Sequence, residues 1–357
     1  MDRVSAAIGL HYLAPDQFER FRNSRKTHLL GAVAFGARPE LGAPDFPFAW
    51  IDIPALDRGC VVEAWSSGQP VVREDRSGIE TTRNEDVLFG CTRADADTSL
   101  MGSTCRAYCS IFDAIDRIGY SHLIRVWHYF PRINAAADGL ERYRAFNLGR
   151  HDAFVSRGRA FEQHAPAACA LGSRSGPLTI YFIAAREPGR PVQNPRQWAP
   201  YHYPASYGPR GPVFSRGMLA RSGGEPLLFV SGTASIVGHE TLHAGDADAQ
   251  GGETLRNLLA VVAEAHASSA GALDTAAMKA KVYVRNRRHL PALRRRLADA
   301  FGHDLTAVYL EADICRADLE LEVEAVYMPG HREGSVIDRR GLEPGARLSR
   351  AARPHRG

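Results

Sequence analysis

The sequence predicts an α+β protein in which one sheet-and-helix unit occurs twice, and two stretches with the same order of elements carry that expectation. In the first, Tyr108, Ile111, Phe112, Ile115 and Ile118 recur at helical spacing and stop at Gly119. A strand-like run follows at 124–129, and Leu140, Tyr143 and Phe146 mark another helix. In the second, Gly252 and Glu253 precede the stripe Leu255, Leu258, Leu259 and Val262; a strand follows at 280–284, and then a helix carries Leu290, Leu293, Leu297 and Phe301. Helices with one apolar side each need a sheet to cover, so helix, strand, helix repeated in this way reads as an internal duplicate.

The boundaries follow from composition. Residues 1–190 form a degenerate first copy, whose opening 80 residues read as short strands and turns and whose segment 165–176 reads as a loop before a strand at 178–183. Seven prolines fall between Pro188 and Pro212, which forbids a helix or a central strand there. Trp198, Tyr201, Tyr203, Tyr207 and Phe214 are too aromatic for a floppy spacer, so 191–220 is expected to pack as a loop over a cleft. Residues 221–330 form the second copy, and 331–357 an Arg-rich, untethered tail.

Charge and composition exclude several classes. The formal net charge is +4, and residues 331–357 hold seven Arg against Glu333, Asp338 and Glu343, so the tail supplies all of it. The remainder is near neutral, with no basic cluster interleaved with aromatics, which argues against nucleic acid as a partner. No run of 18 apolar residues exists and the first residues lack a secretion core, so neither a membrane nor export is expected and the location is cytoplasmic. Six scattered cysteines without a CxxC pair read as reduced thiols.

The run 319–326 alternates strictly, which places Glu320, Glu322 and Glu324 on one strand face. Like charges two residues apart repel, so such a face is either wet or contains a site that uses a carboxyl's proton affinity. Cys315 precedes Glu322 by seven residues in a strand-like stretch, 308–315, that is expected to hairpin against the glutamate strand and bring thiol and carboxyl into one pocket. Arg210 and Arg216, with Tyr203 and Tyr207 just before them, suit a ligand with two carboxylates, because guanidinium forks match planar carboxylates; pairing with surface acids is the competing account. His239, Glu240 and His243 fit HExxH, but that pattern needs one helix through both histidines, and here it follows a strand-like run and is bracketed by Gly238 and Gly245. No metal and no cofactor is expected.

Laid end to end, 230–235, the helix from Gly252, the strand at 281–284 and the closing 322–326 resemble the RidA/YjgF fold. That resemblance aligns Glu322 with the catalytic glutamate of RidA proteins; their arginine would fall near Ala307, so imine deamination or plain ligand binding is the weaker alternative. A resemblance spanning most of the chain, carried by Tyr201-His202-Tyr203-Pro204, Tyr207-Gly208-Pro209-Arg210 and Phe214-Ser215-Arg216, is to the chorismatases. It implies conversion of chorismate without metal or redox cofactor, giving pyruvate with a dihydroxycyclohexadienoate, with 3-hydroxybenzoate, or with a mixture of 3- and 4-hydroxybenzoate. It also implies Glu322 and Cys315 as catalytic residues, the cysteine being characteristic of benzoate-forming members. Tyr203, Tyr207, Arg210, Arg216, Ser231, Gly232, Thr233 and Ala234 are the expected substrate contacts. Because an internal duplicate can replace a neighbouring subunit, a monomer is favoured, with Asn147 or Arg150 of the first copy within reach of the pocket.

Overall fold

The structure, a computed structural model, describes residues 7–24, 27–42, 44–76, 78–96, 99–269 and 277–328. The expected tail therefore lies outside the described residues. The duplicate is present and its topology is identical in both copies. The first runs through strands Val72–Arg76, Ile79–Arg83 and Val87–Ala94, helix Leu100–Ile118, strand His122–Pro131, helix Arg142–Ser156, and strands Ala167–Ser173 and Leu178–Ala185. The second runs through Arg190–Val192, Gly217–Ser222 and Glu225–Thr233, helix Ala247–Ser268, strand Met278–Val284, helix Leu290–Phe301, and strands Thr306–Glu311 and Leu321–Tyr327. Each six-stranded sheet has its strands in the order first, second, third, sixth, fourth, fifth. In both, the fourth and fifth are parallel and the sixth is antiparallel between the third and fourth.

The opening residues are more than turns. Strand Ile8–Leu13, helix Pro15–Arg22 and strands His28–Gly36, Phe48–Ile51 and Cys60–Ser67 form a separate four-stranded sheet. Its order and its one parallel pair, His28–Gly36 with Phe48–Ile51, match the last four strands of the two larger sheets. It is a third, truncated copy, without the initial hairpin or the second helix among the described residues. With neither of those periodic signals present, the sequence pattern shows only short strands.

Three other expectations are corrected. Residues 167–173 form a strand parallel to His122–Pro131 rather than a loop; Ala-Ala-Cys-Ala-Leu-Gly-Ser has little strand propensity, and the fully buried position between neighbours decides it. The second copy starts at Arg190, so the Pro-rich segment is an insertion between its first two strands. Thr306–Glu311 does not hairpin against the glutamate strand: it lies at the sheet edge, parallel to Met278–Val284, and the chain crosses over through 312–320 before the last strand begins.

Each sheet keeps its helices on one face. Apolar clusters under helices Leu100–Ile118 and Arg142–Ser156, under Ala247–Ser268 and Leu290–Phe301, and under Pro15–Arg22 are separate from one another. The opposite faces of all three sheets share a single core containing Trp65, Trp127, Tyr129, Tyr181, Phe229 and Tyr283. The helix ends are conventional: Ser99 Oγ accepts from the Gly102 N–H, Gly119 closes the same helix at φ 83°, and Asp246 accepts from the Ala249 N–H. No helix among the described residues is long and apolar enough to cross a membrane.

Candidate active site

The closing strand Leu321–Tyr327 is buried along its whole length. Leu321, Val323 and Ala325 join the core under the second copy's helices, which turns Glu322 and Glu324 toward the three-sheet side, each 3% exposed. Glu320 precedes the strand, and its N–H donates to Gln250 Oε1 at 2.8 Å. The wet-face reading is therefore excluded for the two buried acids.

The two have opposite environments. Lys281 is directly opposite Glu324 across the antiparallel pair, with Nζ 2.8 Å from Oε1, and Arg125 pairs with Oε2. Trp127 Nε1–H also donates to Glu324 Oε1, at 2.9 Å. Burial works against the charge of Glu324, but Lys281 and then Arg125 outweigh it and hold its carboxyl below the ordinary range. Glu322 has no ion pair among the described residues, and its Oε1 has no hydrogen-bond partner. Burial pushes its pKa up to about 8, the nearby Glu324 charge adds to the rise, and Arg125 opposes it. At neutral pH Glu322 is thus a protonated acid and Glu324 an anion.

Glu322 opens into a cavity of about 330 Å³ between the first and second copies. The first copy contributes Glu141, Tyr143 and Arg144, at the start of helix Arg142–Ser156; the second contributes Gly232, Ala234, Ile236, Cys315, Arg316, Ala317, Asp318 and Glu322. Tyr203, Tyr207, Pro212, Phe214 and Arg216 of the Pro-rich insertion form the remaining wall. The insertion is pinned to helix Ala247–Ser268, with Arg196 donating to Asn257 Oδ1 at 2.7 Å and to Glu253 Oε1 at 2.5 Å. It is the ordered cover over a cleft that its aromatic content implies.

Cys315 lies on the crossover before the last strand. The Gly172 N–H donates to the Asp313 carbonyl at 2.8 Å, which fixes this crossover to the first copy. Burial and then the Glu322 carboxyl push the Cys315 thiol up to about 12, against a smaller lowering by Arg316, so it is a neutral thiol rather than a thiolate. Tyr143 faces it, its phenol also raised well above the ordinary value by burial and by Cys315.

Two guanidinium groups line the cavity without any carboxylate partner among the described residues. Arg216, 5% exposed, donates to the Trp198 carbonyl at 2.8 Å and to Tyr203 Oη at 2.6 Å, while its Nε has no partner. Arg316 donates to the His239 carbonyl at 2.9 Å and lies 4.2 Å from the Tyr207 ring centroid. Buried cations without counter-ions are costly unless a ligand supplies the anion.

The structure does not bring every expected residue to this cavity. Arg210 lines a separate, smaller cavity with His151, Phe161 and Tyr201, and Arg316 occupies the place expected of it. Ser231 and Thr233 brace the backbone: Ser231 Oγ accepts from the Ala168 N–H at 2.9 Å and donates to the Ser215 carbonyl at 2.5 Å, and Thr233 Oγ1 donates to the Ser231 carbonyl at 2.8 Å. Their neighbours Gly232 and Ala234 face the cavity. Asn147 and Arg150 are buried away from the cavity lining, and Tyr143 and Arg144, one turn earlier, reach it instead. Arg316 and Tyr143 were missed because a lone Arg after Cys315 and a Tyr on a helix stripe carry no local signature. His239 lies in the turn of a short hairpin, Ile236–Val237 with Glu240–Thr241, and His243 just beyond it, so no helix presents them on one face as zinc proteases require.

A buried carboxyl with a raised pKa in one cavity with two guanidinium groups that have no carboxylate partner among the described residues is an arrangement suited to acid catalysis on an anionic substrate. The comparisons with known proteins give the family. A family model described as chorismatase FkbO/Hyg5-like, N-terminal, matches residues 63–184. The chain is 36% identical to a 3-hydroxybenzoate synthase of Streptomyces hygroscopicus, over 84% of this chain and 92% of that protein. It is 39% identical to a chorismatase of Streptomyces rapamycinicus, over 74% of this chain and 81% of that one. A chorismatase crystal structure at 1.08 Å superposes with a TM-score of 0.81 at 31% identity, covering 90% of this chain and 99% of that one. The chain belongs to the chorismatase family.

Proposed function

We propose that this chorismatase converts chorismate to pyruvate and 3-hydroxybenzoate, alone or together with 4-hydroxybenzoate, and that Glu322 is the proton donor. The reading rests on one observation above the others: a neutral, buried Glu322 facing a cavity whose two guanidinium groups without a carboxylate partner among the described residues match a dicarboxylate. Chorismate carries two carboxylates and an acid-labile enol ether. Arg316 and Arg216 hold the carboxylates, and Glu322 delivers its proton to the methylene carbon of the enolpyruvyl group, which gives an oxocarbenium ion. A positioned acid contributes roughly 10²- to 10⁴-fold in rate.

Capture of that cation by water releases pyruvate and a diol. Release of pyruvate and a hydroxybenzoate needs no net water, because the two products together have the composition of chorismate. An intramolecular route to 3-hydroxybenzoate meets this balance: the ring's 4-hydroxyl adds to the cation and loses its proton, its bond to C4 then breaks as the C3 proton is lost and the ring aromatises, and the resulting hemiketal collapses to pyruvate and the phenol. The neutral thiol of Cys315 and the phenol of Tyr143, which line the cavity with Glu322, are the groups available to guide it. The site is assembled from two copies within one chain, which supports action as a monomer, and six free cysteines fit a reducing, cytoplasmic setting.

The test is incubation with chorismate, with pyruvate and ring products followed by chromatography. The wild type is expected to give 3-hydroxybenzoate, and Glu322→Gln is expected to release no pyruvate above background. Unimpaired release by that variant overturns the reading.

A further inference from the structure

Behind the cavity, at the junction of the three sheets, four charged side chains form a closed buried cluster. Glu63 comes from the truncated copy, Arg125 from the first full copy, and Lys281 and Glu324 from the second. Lys281 Nζ is 2.6 Å from Glu63 Oε2 and 2.8 Å from Glu324 Oε1, and Arg125 pairs with Glu324. None of the four is more than 3% exposed. Trp65 Nε1–H donates to Glu63 Oε1 at 2.8 Å, and Lys281 also donates to Tyr181 Oη at 2.7 Å. Two cations and two anions are thus complete without Glu322, which lies two residues from Glu324 on the same strand face and makes no ion pair among the described residues.

We propose that Glu63 is a positioning residue for the reaction: by neutralising Lys281 from the truncated copy, it keeps the buried cluster beside Glu322 without net positive charge and so keeps that acid protonated. This gives the truncated sheet a chemical task, and it rests on the reading of Glu322 as the proton donor. The other polar groups around Glu322 do not supply the balance. Cys315, Cys169, Tyr143 and Tyr283 are neutral, each with its proton held above the ordinary value by burial. Arg216 and Arg316 face the substrate side of the cavity, where the substrate carboxylates meet them. Within the dry core the charge balance is set by Glu63, Glu324, Arg125 and Lys281, and removal of one anion leaves a net positive charge that ionisation of Glu322 would cancel.

The experiment is the pH profile of kcat/KM for pyruvate release from chorismate by full-length Glu63→Gln and by Glu63→Gln combined with Lys281→Met, each checked by a melting curve. The single variant is expected to lose its alkaline limb about one pH unit earlier than the wild type, a roughly tenfold lower rate on that limb. The double variant restores neutrality and is expected to return the limb to the wild-type position. A merely structural role predicts a lower rate at every pH with the limb unmoved, and that result overturns the proposal. Should the single variant not fold, the charge-balanced double variant carries the test alone, and a displaced limb there overturns the proposal equally. Activity of Glu322→Gln would overturn the reading of the acid itself, whereas an inactive Glu322→Gln with an unmoved limb in Glu63→Gln sinks only the role of Glu63.

Discussion

Gly232 lies flat against the carboxyl group of Glu322: a Cβ built on residue 232 would overlap Glu322 Oε1 and lie 3.1 Å from the Cys169 Cβ. The strand Glu225–Thr233 therefore brings bare backbone to the acid, and the missing side chain is what lets the carboxyl fit beside the cavity. The contact links the inner wall of the cavity to the position of the proton.

Gly232→Ala is accordingly expected to displace the Glu322 carboxyl and lower kcat by about 10²-fold, since misplacement of a reacting group by about 1 Å costs that much. Steady-state pyruvate release checks this, with a melting curve to show that the sheet is intact. Turnover within about threefold of the wild type would contradict the assigned geometry.

The raised proton affinity of Glu322 fixes two pH dependences. The acid must be protonated to work, so kcat/KM is expected to hold up to about pH 8 and then fall tenfold per pH unit. Stability moves the other way from the usual carboxylate. The folded value, about 8, exceeds the ordinary 4.5, so between those limits the folded state holds a proton that the unfolded chain has released, and stability declines as pH rises across that window. Glu322→Gln has no such proton to lose. Its melting temperature is expected to match the wild type near pH 5 and exceed it at pH 8, by a stability difference on the order of a few kcal/mol, measured by calorimetry at both values.

Cys315 is a half-buried thiol lining the cavity with Glu322, with its pKa pushed up to about 12. Cys315→Ala is expected to retain pyruvate release and shift the ring product toward the diol, read by chromatography. The raised pKa predicts that Cys315 alkylates far more slowly with iodoacetamide at pH 8 than an ordinary exposed cysteine, measurable by peptide mass mapping. An unchanged product spectrum in the alanine variant would remove the thiol from the mechanism.

Arg316 and Arg210 separate the observed site from the expected one. Arg316→Ala is expected to raise KM for chorismate by about 10- to 100-fold, the range for a charge-assisted contact. Arg210→Ala, on the neighbouring cavity, is expected to change KM by less than about twofold.

Much of this was written in local pattern. The helical stripe from Tyr108 to Ile118, the stop at Gly119 and the alternation around Glu322 depend only on side-chain period and on glycine's backbone freedom, which operate within a few residues. Cys315 and Glu322 were likewise legible as a pair from the family resemblance, although the hairpin expected to join them is a crossover beside a parallel edge strand.

The sequence by itself determined the α+β class and the duplication, and it pointed to the Pro-rich insertion and to Cys315 and Glu322, which line one cavity, because periodicity, proline and family motifs are short-range signals. Only the tertiary structure decided that the opening strands are a third copy, that Arg316 and Tyr143 rather than Arg210 and Arg150 face the cavity, and that Glu322 is neutral while Glu324 is not. Those outcomes depend on which strands become neighbours: Lys281 and Arg125 reach Glu324 across 43 and 199 residues of chain. Proton affinity is set by such neighbours and by burial, and neither is present in an isolated strand.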